Sequence, residues 1–173
     1  GLAAARHLIN RNFDVSIILA ESDLKESPQH HLSLLEKMNV EILLYSQIQE
    51  MAKSKLKESD IIIESLLGYN IQGSPRGNYK ELINLINNSE GKIISYDLPT
   101  GIDPTTGENL DPAVSADVTL TLALPKRGLK ENTEKSGKVY LGDIGIPHFM
   151  YDRIKRNSRP EFENQGVIKL DLE

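Results

Sequence analysis

Apolar positions along the chain fall into short β-branched runs separated by stretches with helical spacing. The opening "GLAAARHLINR" carries Leu2, Ala5, Leu8 and Ile9 at helical spacing and reads as a helix. It has no initiator Met and no capping residue before it, so a beginning is expected upstream. "FDVSIIL" (Phe13–Leu19) reads as a buried strand, and a polar loop then leads to a helical segment around His31–Lys37. "VEILLY" (Val40–Tyr45) is the next strand, "SQIQEMAKSKLKES" a short helix, and "DIIIESLLG" (Asp60–Gly68) a further buried strand. After the loop "YNIQGSPRG", the segment "NYKELINLINNS" places Leu82, Ile83, Leu85 and Ile86 on one helical face. Three more strands follow: "KIISYDL", "DVTLTLAL" (Asp117–Leu124) and "KVYLGDIGI" (Lys138–Ile146). Between the last two only turns such as "NTEKSGK" are predicted. The tail, about residues 151–173, is polar at first and ends in a segment of strand or docking character.

Strands that are apolar throughout and alternate with helices predict an α/β domain, a Rossmann-like, doubly wound, mostly parallel sheet with helices on both faces. A chain of 173 residues suits one such domain spanning 1–173. Sheets of this kind bind ligands at the carboxyl ends of their strands. That rule puts "LLGYNIQGSPRG", "DLPTGID" and "LPKRGL" on one rim, because each directly follows a strand.

Charge and composition narrow the partners. A net charge of −5 with no basic stripe gives no footprint for nucleic acid. No apolar run approaches the roughly 20 residues of a membrane-spanning helix, so no membrane partner is expected. The absence of cysteine excludes thiolate chemistry and agrees with a reducing, cytoplasmic location. His7, His30, His31 and His148 lack the spacings of zinc or facial-triad sites. No G-x-S-x-G elbow occurs.

The rim holds the candidate chemistry. Gly68–Gly77 has glycines where backbone could approach a ligand or simply turn, and it lacks both the dinucleotide and Walker A fingerprints. Arg76 could meet a phosphate or a surface carboxylate; Lys126 is either structural or a contact for an anion. Asp97 ends a strand that Pro99 prevents from continuing. Partly desolvated there, its carboxylate suits acid or base work, or accepts backbone N–H bonds that stiffen the turn. Asp103 reads as a turn aspartate and Asp60 as a solvated strand start. Glu64 interrupts an apolar strand, and an acid there calls for a cation or several donors.

Together the rim segments resemble the NAD(P)H-hydrate epimerase family, the YjeF N-terminal domain. "IIESLLGYNIQGSPRG" is similar to the family's "VDALLGTGLxGxxRG", and "SYDLPTGIDPTTG" to its "xxDIPSGIDxxTG". "ADVTLTLALPKRGL" is similar to "ADLTVTFxxPKxGL", and "GKVYLGDIGIP" to "GxVxVxDIGIP". The resemblance reaches to about Pro147.

It implies an isomerase that interconverts the R and S epimers of NADHX and NADPHX, cofactors hydrated at C6 of the nicotinamide ring. A separate dehydratase then repairs the S form. It implies Asp97 as acid/base in contact with substrate. Gly68, Tyr69, Asn70, Ile71, Gln72, Gly73 and Ser74 would form the substrate loop. One potassium ion would be held by Glu64, where the family usually has Asp, and by Thr100, where it usually has Ser. A homodimer is a further implication. Three departures accompany the match. Gly1 resembles the last glycine of the family's "GNNGGDG" loop, which supplies phosphate-binding amides and an asparagine ligand to potassium. Gln72 stands where many relatives have Lys or Arg, and a glutamine supplies no charge. "GTG" has become the bulkier Gly68-Tyr69-Asn70. The rival expectation is a non-catalytic nucleotide- or partner-binding module on the same fold, as in the related domain of an mRNA-decapping scaffold. A piece of a longer bifunctional repair enzyme is another.

Overall fold

The computed structural model describes residues 1–153, 160–162 and 165–172. In chain order the elements are α1 (Leu2–Ile9), β1 (Ser16–Leu19), α2 (Glu26–Glu36), β2 (Glu41–Leu44), a 3-10 turn (Tyr45–Gln47) and α3 (Gln49–Glu58). They continue with β3 (Ile61–Glu64), α4 (Gly77–Asn87), β4 (Lys92–Tyr96), β5 (Val118–Leu122), α5 (Arg127–Glu131) and α6 (Thr133–Ser136). Strand β6 (Lys138–Gly142), α7 (His148–Arg153) and β7 (Val167–Lys169) complete them.

Strands β3 to β7 form one sheet in sequential order, parallel from β3 to β6 and closed by antiparallel β7. The apolar end of the tail is thus a strand, pairing Ile168 with Leu141, and Leu170 and Leu172 pack on the core beside it. The polar stretch 154–159 of the tail lies outside the described residues.

The expected α/β, mostly parallel architecture is present, and the structure differs from the sequence reading in two details. Strands β1 and β2 pair with each other in a parallel two-stranded sheet of their own. Between β1 and β3 runs a cavity of about 740 Å³, lined by both strands and by α1, with Ile61 and Ile63 largely exposed along it. The turns expected between β5 and β6 are helices α5 and α6 instead. Each is only one turn or so long, too short for a helical apolar period to register in sequence. Helix α6 is specified locally by Asn132, whose side-chain oxygen accepts from the Lys135 amide at 3.2 Å.

The main core lies where α3 and α4 meet the sheet. Ala52, Leu56, Leu82, Ile83 and Ile86 pack against Ile62 and Ile93. Leu82, Ile83 and Ile86 follow i, i+1, i+4 spacing, so one face of α4 is buried while its remaining positions stay wet. A second cluster, Leu98, Ile102, Ala113, Leu129 and Val139, sits under the segment after β4. This second cluster fixes the rim: Leu98 and Ile102 anchor both ends of the turn that carries Thr100.

Candidate active site

The carboxyl ends of β3, β4 and β5 carry the expected rim. Asp97 is the first residue after β4 and adopts a left-handed backbone, φ 78°. Such a conformation is strained for an aspartate and persists only when its surroundings hold it. They do: the Asp97 amide donates to the Leu120 carbonyl at 2.8 Å, and the Leu122 amide donates to Asp97 Oδ1 at 3.2 Å. Lys126 Nζ closes an ion pair on the same Oδ1. Among the described residues, the hydrogen bonds that hold the carboxylate all fall on Oδ1. Its side chain is 16% exposed.

Lys126 also donates to Thr121 Oγ1 at 3.2 Å and to the Leu122 carbonyl at 3.0 Å. Its three N–H groups therefore have three protein acceptors. Of the two readings of this rim lysine, the structural one matches the geometry.

Glu64, at the end of β3, is 2% exposed and sits beside Ser95 in register. Its Oε1 accepts from Ser95 Oγ at 2.6 Å and from the Thr100 amide at 2.9 Å. Its Oε2 accepts from Thr100 Oγ1 at 2.8 Å and from the Leu66 amide at 3.3 Å. Burial pushes the carboxyl above the usual range, opposed by these donors from Ser95, Thr100 and Leu66. No salt bridge reaches Glu64 among the described residues. Thr100 Oγ1 in turn accepts from the Leu67 amide at 3.0 Å and lies 3.1 Å from the Leu67 carbonyl. The two residues proposed as potassium ligands are thus in direct contact. The set is a buried carboxylate that already accepts from four donors and has no side-chain salt bridge among the described residues, a hydroxyl and a nearby carbonyl, all hard oxygens. That chemistry fits a hard cation.

Gly101 makes the turn after Thr100 possible. Its φ is 94°, and a Cβ there would stand 2.4 Å from the Pro112 carbonyl oxygen and 2.6 Å from Ala113 Cα. Asp103 accepts from the amides of Thr105 and Thr106 at 2.8 and 2.7 Å, which holds its carboxyl below the usual range. It is the turn residue its neighbours suggested.

The loop 68–74 lies at the surface, with only Ile71 half-buried and Tyr69 61% exposed. Together with Arg76 and Tyr79, residues Asn70 to Ser74 line an open pocket of about 420 Å³. Arg76 forms no ion pair among the described residues. The loop root is stitched to the Asp97 turn through Leu67 and Thr100, while no hydrogen bond joins Asp97 to residues 68–74 among those described. Sequence reasoning missed Ser95, Thr121 and the Leu122 amide. For the first two a signal existed: each is a hydroxyl between apolar neighbours in a strand, and both are fully buried.

A mostly parallel sheet flanked by helices, with a strained aspartate and a buried acid on its carboxyl rim, makes this an α/β domain of the Rossmann-like class. Residues 1–128 match the family described as YjeF-related protein N-terminus, and the chain belongs to that family. It is 38% identical over 172 residues to an NAD(P)H-hydrate epimerase of Dehalogenimonas lykanthroporepellens, covering 98% of this chain and 67% of that protein. A bifunctional NAD(P)H-hydrate repair enzyme Nnr of Moorella thermoacetica is 32% identical over 154 residues, 85% of this chain and 29% of that one. The chain thus spans two thirds of the first relative and under a third of the second. In fold it is similar to the crystal structure of yeast ynu0 (YNL200c), with a TM-score of 0.83 and 21% identity. That match covers 98% of this chain and 71% of the yeast one.

Proposed function

We propose that the protein is an NAD(P)H-hydrate epimerase, interconverting the R and S epimers of NADHX and NADPHX, with Asp97 as its acid/base. The observation that carries this reading is the Asp97 carboxylate. It is held at the rim in a strained backbone and bound through Oδ1, and no hydrogen bond among the described residues falls on Oδ2, the oxygen this reading assigns to proton exchange. The names of relatives at 32–38% identity support the same activity.

The chemistry asks for one such group. Protonated Asp97 gives its proton to the C6 hydroxyl. The C–O bond breaks with its electron pair on oxygen, water leaves, and the N1 lone pair closes a C=N iminium. Water then adds to the opposite ring face and returns a proton to the carboxylate. The cycle closes without an oxidant, and the anionic Asp97 also stabilises the iminium cation beside it.

On this reading Gly68, Tyr69, Asn70, Ile71, Gln72, Gly73 and Ser74 cradle the substrate, and Glu64 and Thr100 hold one potassium ion. That ion would supply charge compensation for the buried carboxylate. The enzyme works in the cytoplasm as a homodimer, ahead of a dehydratase that consumes the S epimer. Because R-NADHX persists when an S-specific dehydratase is present, its loss reports epimerisation. The full-length protein is expected to accelerate that loss above the spontaneous rate, and Asp97→Asn to slow it by about 10²–10⁴. A wild-type protein that does not exceed the spontaneous rate refutes the activity and favours the binding-module reading. An unimpaired Asp97→Asn refutes the residue assignment.

A further inference from the structure

We infer that Lys126 is a positioning residue for Asp97, locking one carboxylate oxygen so that the other is the proton-carrying atom. The inference rests on the epimerase reading, but its geometric half does not. Lys126 Nζ meets Asp97 Oδ1, Thr121 Oγ1 and the Leu122 carbonyl, and an ammonium has three N–H groups to give. It is therefore saturated by protein and has no donor left for a substrate phosphate. Its whole output is directed at the end of β5 and at Asp97.

The backbone is built to bring it there. Ala123, directly after β5, has φ 64°, a conformation alanine rarely adopts. The Leu124 amide then turns back to the Leu122 carbonyl at 2.7 Å. This reversal carries Lys126 back onto Leu122 and beneath Asp97, whose own φ is 78°. Two non-glycine residues, Asp97 and Ala123, take left-handed conformations just past the ends of the neighbouring strands β4 and β5, and the ion pair joins Asp97 to Lys126 three residues beyond Ala123. Both side chains are under one-fifth exposed, so the pair escapes most of the solvent screening that weakens surface salt bridges. With Oδ1 occupied by Lys126 and the Leu122 amide, the carboxylate cannot rotate freely between its two oxygens.

The test combines kinetics with a direct view of the ammonium. Lys126→Met keeps the length and apolar stem and removes the charge. It is expected to lower kcat roughly 10- to 100-fold while KM changes by less than about threefold, since the 68–74 loop is untouched. The double variant Asp97→Asn/Lys126→Met is expected to be no slower than Asp97→Asn alone, because Lys126 acts only through Asp97. A Lys126→Met kcat within twofold of wild type, or losses that multiply in the double variant, overturns the inference.

Nitrogen-15 NMR of the full-length protein supplies the readout that needs no activity. A saturated Lys126 ammonium exchanges slowly and gives an observable signal, which Asp97→Asn should abolish. A signal indifferent to Asp97 overturns the inference whatever the enzyme does. A dependent signal in a protein that fails to epimerise leaves the pairing standing and refutes the activity instead.

Discussion

Replacing Thr100 by valine keeps its shape and removes one hydroxyl from a fully buried position. Two hydrogen bonds disappear: the one donated to Glu64 Oε2 at 2.8 Å and the one accepted from the Leu67 amide at 3.0 Å. The first is charge-assisted and buried, worth about 1.5–3 kcal/mol. The second orphans a half-buried amide, at about 1 kcal/mol or slightly more. Together Thr100→Val should cost about 2.5–4 kcal/mol. For a chain of 173 residues each kcal/mol lowers Tm by about 2–4 °C, so calorimetry should show a fall of roughly 5–16 °C. Thr100→Ser retains the hydroxyl and loses only a methyl group, at about 1 kcal/mol. A Thr100→Val drop below about 3 °C, or a Thr100→Ser drop as large as that of valine, would refute the idea that the hydroxyl holds the Glu64 network together.

Three further outcomes are open to measurement. Gly101→Ala puts a Cβ against the backbone of Pro112 and Ala113 at φ 94°, so its urea midpoint should fall by the equivalent of about 3 kcal/mol or more; an unchanged midpoint means the turn can open at no cost. Potassium at 100 times its dissociation constant should stabilise by about 2.7 kcal/mol, whereas lithium or choline at equal ionic strength should not. Equal Tm values in all three salts would remove the potassium site. Burial and the hydrogen bond to Glu81 push the Tyr45 phenol up to about 12. The native state therefore keeps this proton longer than the unfolded chain, and Tyr45 contributes stability fully present below about pH 10. That contribution is lost as pH rises towards about 12. The Tm difference between wild type and Tyr45→Phe should shrink across that interval; a constant difference contradicts the assignment.

Much of the site was legible because its signals are local. Pro99 stops β4 at Asp97, and the strand runs identify the rim without any tertiary knowledge. The Asp103 turn was equally local, since its two amide contacts come from Thr105 and Thr106. Lys126 was legible as a rim lysine but its pairing with Asp97 was not, because that reach depends on Ala123 taking a left-handed conformation that alanine does not advertise. The donors around Glu64 include amides from two loops, and a backbone amide has no sequence signature. The separation of β1 and β2 from the main sheet is likewise a matter of which strand edges meet. Strand runs predict that edges exist, not their neighbours.

The Glu64 network also sets where the rim can move. Leu66, Leu67, Ser95 and Thr100 are tied to one carboxylate or to each other, so the root of the 68–74 loop and the Asp97–Thr100 turn are braced together. Beyond Leu67 that bracing stops: a Cβ on Gly68 would meet nothing within 4 Å, and Tyr69 stands in solvent. The pivot for any closure over a ligand is therefore Gly68. Hydrogen exchange should divide sharply at that glycine, slow at the Leu66 and Leu67 amides and fast at Tyr69 and Asn70. The acid that looked out of place in an apolar strand is, mechanically, the clamp on the fixed side of that glycine.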